Sequence, residues 1–276
     1  NPADVDAWLG AMTVDDRRWL VGRLVTQALY GDQVEVVESA GGWTKVVVLR
    51  QPNSLDPRGY PGWLPTAQLT SVAPGAAGGG AGDAVVTRPA AALHDADRPD
   101  RAPMAVSFNT RLPVLSTDPT WVTVATPGGG RGLLSPADVS VIVPGTPPPT
   151  GDDVVRSAEQ FAGVAYLWAG TSGAGWDCSG FTSAVYAAHG VVIPRDADDQ
   201  AGAGAPVERD DLRPGDLLFY ATGADRASVH HVGMYVGDGR MIQAPATGRT
   251  VETVSIDRPG LATEYWGARR YLPPSG

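Results

Sequence analysis

The chain has 276 residues, 43% hydrophobic and 18% charged, so it can bury a substantial core and does not read as disordered. Acidic residues outnumber basic ones 30 to 21, a net charge of −9 that disfavours phosphate backbones and anionic lipid, so neither a nucleic-acid partner nor electrostatic membrane attachment is expected. No run approaches the roughly 18 apolar residues of a membrane span, and the single cysteine, Cys178, excludes internal disulfides, iron–sulfur clusters and thiolate zinc sites.

Glycine (35) and proline (24) favour turns and short strands over long helices. Two composition breaks stand out. Ser71–Asp83 (SVAPGAAGGGAGD) reads as a flexible linker and Pro144–Thr150 (PGTPPPT) as a stiff extended spacer, which divides the chain into residues 1–72, 83–143 and 151–276. In the first part, β-branched runs at 33–37 and 43–48 precede Gly59-Tyr-Pro-Gly-Trp-Leu-Pro65 and Leu69. In the second, Leu112–Leu115 and Trp121–Val124 precede Gly130-Arg-Gly-Leu-Leu-Ser-Pro136 and Val139. Short strands, tight turns and a Trp-led middle strand predict a small all-β barrel in each part. That order resembles bacterial SH3-like domains in tandem.

The third part changes character. Residues 152–162 have helical spacing with acidic residues in the first turn, and a second helix is predicted from Cys178 to His189, ending at Gly190. Strand-like runs follow at Leu217–Tyr220, His231–Val236, Arg240–Gln243 and Thr250–Val254, an α+β pattern.

Candidate chemistry concentrates here. Asp177 suits an N-cap, which places Cys178 in the first helical turn, where the dipole and free N–H groups favour a thiolate and can hold an oxyanion. A lone cysteine is also commonly a small buried hydrophobe. Of the four histidines, His94 lies in a polar loop and His189 closes a helix, whereas His230 and His231 open a strand that can reach another element's helix tip. The turn at 237–239 joins that strand to Arg240–Ala244. A three-residue loop pairs positions summing to 476 and sets His231 and Gln243 on one sheet face as diagonal neighbours, so the Gln amide oxygen can accept from the far ring nitrogen; a two-residue turn reverses that parity.

Tyr166-Leu-Trp-Ala-Gly170 with Asp177-Cys-Ser-Gly-Phe181, then His231-Val-Gly-Met-Tyr-Val-Gly237 and Met241-Ile-Gln-Ala-Pro245, resemble the signature of NlpC-type cell-wall cysteine peptidases. With two SH3-like domains in front and the ending Glu264-Tyr-Trp-Gly-Ala-Arg-Arg-Tyr-Leu-Pro273, the chain is similar to γ-D-glutamyl-L-diamino-acid endopeptidases of the YkfC type. The resemblance implies a papain-like α+β domain with Cys178 as nucleophile, His231 as base and then acid, and Gln243 as orienting third residue, with no metal or cofactor. It implies peptidoglycan stem peptides or murein fragments as substrate, cut between D-Glu and lysine or diaminopimelate, by a monomer. Tyr60, Tyr166, Asp177, Ser179, Asp196 and His230 are the implied substrate contacts. Two positions depart from the pattern: Ala197 stands where Ser is common, and Gln27 where an acidic residue is expected at the ammonium of a free N-terminal L-Ala. The chain opens Asn1-Pro2 without Met, and the expected location is the cell envelope or secreted, with a cytoplasmic recycling role also open. The rival readings are a non-catalytic cell-wall binder and a cysteine amidase or acyltransferase acting on another wall amide.

Overall fold

A computed structural model describes residues 5–72 and 82–273, so the linker read over Ser71–Asp83 falls largely outside the described residues. Two short helices come first, α1 (Val5–Gly10) and α2 (Val14–Trp19). A capping box starts α2: Thr13 Oγ1 accepts from Asp16 N–H while the Asp16 carboxylate accepts from Thr13 N–H. Leu9 and Leu20 are buried against Leu167 of the third segment. The helices were not predicted, because neither is long enough to show a period.

Strands β1 (Val34–Ala40), β2 (Trp43–Val48) and β3 (Tyr60–Pro65) form an antiparallel meander around Val46, Val48 and Tyr60. The second all-β unit holds β4 (Asp83–Val86), β5 (Ala90–Asp95), β6 (Met104–Ser107), β7 (Arg111–Thr117), β8 (Val122–Ala125), β9 (Arg131–Leu134) and β10 (Val139–Ile142). Their order is β10-β4-β7-β8-β9-β5-β6, wrapped on a core that includes Val86, Leu112, Val124 and Leu134. The last four of these strands are the predicted ones; the alanine-rich β4 to β6 carried too little alternation to be seen.

The third segment begins with α3 (Gly151–Glu159), again started by a capping box, from Thr150 to Asp153. The two-residue strands β11 (Thr171–Ser172) and β12 (Gly175–Trp176) lead into α4 (Cys178–Ala188), and α5 (Ala197–Ala201) follows. Then come β13 (Ala205–Val207), β14 (Leu217–Ala221), β15 (Val229–Gly237), β16 (Arg240–Gln243), β17 (Glu252–Ser255), the one-turn α6 (Leu261–Glu264) and β18 (Tyr265–Arg270), in a sheet of order β13-β18-β14-β15-β16-β17. Leu217 and Phe219 join the core with α3 and α4, while Leu218 and Tyr220 pack into a second cluster with Met241 and Ile256. Both faces of β14 are covered, which is why its sequence is uniformly apolar.

The β15–β16 hairpin differs from the expectation in an instructive way. Asp238 and Gly239 both have positive φ (50° and 65°), the mark of a two-residue turn rather than a three-residue one. Val236 is extruded as a bulge, and beyond it Tyr235 faces Met241 and Met234 faces Ile242, the register predicted.

Candidate active site

Asp177 starts α4: its Oδ1 accepts from Gly180 N–H at 2.6 Å, and its own N–H donates to the Gly170 carbonyl at 3.1 Å. A Cβ at position 180 would lie 2.1 Å from that carbonyl, so only glycine lets the helix tip approach the Tyr166–Gly170 turn. Beneath it, Trp176, Phe161 and Phe181 pack edge-on or tilted with centroids 4.9–6.2 Å apart, which fixes the tip against the core.

Cys178 emerges from this tip 9% exposed. The backbone N–H of Val232, the residue after His231, donates to its thiol, which joins α4 directly to β15. His231 Nε2 meets Gln243 Oε1 at 2.6 Å, the contact the hairpin register anticipated, and both side chains are buried. With Nε2 engaged by Gln243, Nδ1 is the ring nitrogen on the side away from that amide. The Tyr220 ring, opposite His231 in the ladder, lies 5.8 Å from the imidazole.

Burial of the helix tip works against the expected thiolate. Burial, with Asp177 adding to it, pushes the Cys178 thiol up to about 12, and the N–H groups of Val232 and Ser179 and the Arg195 charge offset this only in part. Burial likewise holds His231 below its ordinary range, against the hydrogen bond it donates to Gln243. Both shifts favour the uncharged forms, thiol and neutral imidazole.

Arg195, 2% exposed, organises the other side of the tip. Its guanidinium donates to both Asp177 oxygens at 3.1 and 2.6 Å, to Ser179 Oγ at 3.0 Å and to Thr26 Oγ1 at 3.1 Å; its backbone N–H donates to the Pro52 carbonyl at 2.8 Å. Asp177 and Ser179, expected as substrate contacts, are thus taken up by the cap and this guanidinium. Tyr60, at the start of β3, donates its hydroxyl to Asp196 Oδ2 at 3.0 Å, which brings two predicted residues together across the two segments. Burial raises the Asp196 carboxyl and holds the Tyr60 phenol well above its usual range. Tyr166 is buried beside Cys178, and burial together with that neighbour keeps its phenol protonated, a permanent donor. Gln27 is not aimed at an ammonium: its Oε1 accepts from Thr171 N–H at 2.8 Å. Nor does His230 join the cluster; it is exposed and lies 3.2 Å from Glu264.

Residues 163–270 match the NlpC/P60 family, 86–141 the YKFC SH3b2 domain and 21–69 the bacterial dipeptidyl-peptidase Sh3 domain. A γ-D-glutamyl-L-lysine dipeptidyl-peptidase of Bacillus cereus (strain ATCC 10987 / NRS 248) is 43% identical over 277 residues, covering 99% of this chain and 83% of that one. The chain belongs to the NlpC/P60 family. A Bacillus subtilis (strain 168) protein of the same name is 38% identical, covering 95% of this chain and 87% of its own. The crystal structure of an NlpC/P60 family protein from Bacillus cereus ATCC 10987 superposes with a TM-score of 0.93 at 42% identity, over 98% of this chain and 90% of that chain. The fold is accordingly two SH3-like units followed by an α+β NlpC/P60 peptidase domain, and the chain is a peptidase. Among the described residues no helix is long and apolar enough to cross a membrane.

Two members of this arrangement, Arg195 and Thr26, were not among the residues the sequence pointed to. Arg195 also lies 3.8 Å from its neighbour Asp196. Its stronger engagement with Asp177, 18 residues away, leaves no local pattern.

Proposed function

We propose that Cys178, His231 and Gln243 hydrolyse the bond between γ-D-glutamate and an L-diamino acid in peptidoglycan stem peptides or murein fragments, in turnover or recycling of cell-wall material. The observation that carries the reading is the Tyr60–Asp196 bond, which seats the first β unit on the residue following Arg195, the guanidinium that holds the α4 cap. A carboxylate and a phenol oxygen held together suit a free ammonium, so the short end of the substrate is an N-terminal L-Ala. The names of the two full-length relatives support the same bond.

In this reading the Cys178 proton passes to His231 Nδ1 as sulfur attacks the γ-carbonyl. The backbone N–H groups at the α4 tip and the Tyr166 hydroxyl receive the oxyanion. His231 then protonates the leaving amine and activates the water that releases L-Ala-D-Glu. All these groups come from one chain, in keeping with a monomer, and the substrate places the work at the envelope, in a secreted form or on recycled fragments.

The test is incubation with L-Ala-γ-D-Glu-L-Lys, its N-acetylated form and intact peptidoglycan. Release of L-Ala-D-Glu from the free tripeptide, lost in Cys178→Ala and strongly reduced by acetylation, is the expected result. Cleavage of the polymer with the tripeptide untouched would overturn the free-amine reading, and a wild-type protein inert on all three would overturn the activity.

A further inference from the structure

Behind the imidazole, the chain of contacts continues past Gln243. The Gln243 amide Nε2 donates to Glu252 Oε1 at 3.1 Å, and the two residues are paired directly across the β16–β17 ladder. Arg249 Nη2 donates to both Glu252 oxygens at 2.7 Å, and Arg258 Nη1 reaches Oε1 at 3.3 Å. An ionised carboxylate flanked by two guanidinium groups can only accept. The atom that Gln243 turns toward it must therefore be the NH2, and the amide oxygen is left facing His231. An amide oxygen in turn accepts only from a protonated ring nitrogen, so Nε2 carries the hydrogen and Nδ1 keeps its lone pair. Gln243 is 2% exposed, so water cannot readily satisfy a reversed amide.

We propose that Glu252 is a positioning residue that selects the His231 tautomer by fixing which way the Gln243 amide points. The inference rests on His231 being the base of the reaction above. A bare Gln is symmetric in shape and ambiguous in polarity; the carboxylate behind it removes the ambiguity.

Imidazole 15N resonances of His231 and steady-state kinetics on L-Ala-γ-D-Glu-L-Lys test it together. In the wild type above the histidine's titration, Nε2 is expected to be protonated and Nδ1 unprotonated. In Glu252→Gln, whose amide both donates and accepts, Gln243 is free to turn over. A mixture of tautomers is expected there, with kcat reduced about tenfold, the scale of one misdirected hydrogen bond, and KM within about twofold. Glu252→Ala, expected to move the same way, serves if Glu252→Gln does not fold. A wild-type Nδ1–H form overturns the proposal. So does a folded variant that keeps a single Nε2–H tautomer, whether or not kcat falls, since a merely structural role would lower stability and leave the tautomer alone. A wild-type protein inactive on the tripeptide whose tautomer still follows residue 252 overturns the substrate reading and not this one.

Discussion

The two N-terminal β units share an antiparallel three-strand meander, β1-β2-β3 and β7-β8-β9, and meet the third segment differently. The first meets the catalytic segment at the mouth of the site: Tyr60 on Asp196, Thr26 and the Pro52 carbonyl on Arg195, and the Leu24 carbonyl accepting from Trp168 Nε1 at 2.9 Å. The second meets it at the back. Phe108 packs on Phe161 and Trp176 with centroids 4.9 and 6.2 Å away, Ser107 Oγ accepts from Gly173 N–H at 2.8 Å, and Arg111 donates to the Ala187 carbonyl at the far end of α4. The contrast teaches that a small β unit can grip the cap of α4 or pack against its core-facing side and far end, according to which surface it turns to the peptidase.

Substitutions can break this division. The largest expected effect is at Arg195, where the first unit and the nucleophile's cap meet. Arg195→Met leaves Asp177 as an uncompensated buried charge and should cost about 3–5 kcal/mol by urea denaturation, with activity lost as well. Phe108→Ala should cost about 3 kcal/mol while the folded enzyme keeps its kcat and KM; a raised KM there would mean the second unit also shapes the cleft. Tyr60→Phe should do the reverse, raising KM for the free tripeptide about tenfold with little change in Tm, whereas Ser107→Ala should cost about 1 kcal/mol and leave KM alone.

The smallest effects come from pH. His231 is buried, near His230 and Glu264, and its folded form resists protonation. The unfolded chain therefore takes up protons first, so stability should hold above the ordinary value of 6.5 and fall as pH drops below it, whereas kcat/KM, which follows the folded histidine, should fall only at lower pH. For the thiol the sign is opposite: the unfolded chain ionises first, near 9.0, so stability declines above that. Iodoacetamide should label the resting enzyme at neutral pH no faster than an ordinary thiol, and rapid labelling would restore the thiolate that the helix tip suggested.

Much of this site was legible because its signals are local. A cap before the only cysteine, a histidine opening an alternating strand and an Asp-Gly turn each act within a few residues, and together they place Cys178, His231 and Gln243. The hairpin register came out as expected although its turn did not: Asp238-Gly239 prefers the tight two-residue form, and the extra residue moved into the strand at Val236. The Arg195 contacts, the docking of α1 and α2 on Leu167 and the inner strand β18 were hidden, since each depends on partners far away in sequence. Burial is likewise a property of the whole packing, and it pushes the Cys178 thiol up against the dipole that the helix start alone reveals.

One guanidinium holds the first turn of α4 and the docked loop of the first β unit at once. Loosening either end should slacken the other, so the seating of the first β unit and the rigidity of the α4 tip rest on one side chain.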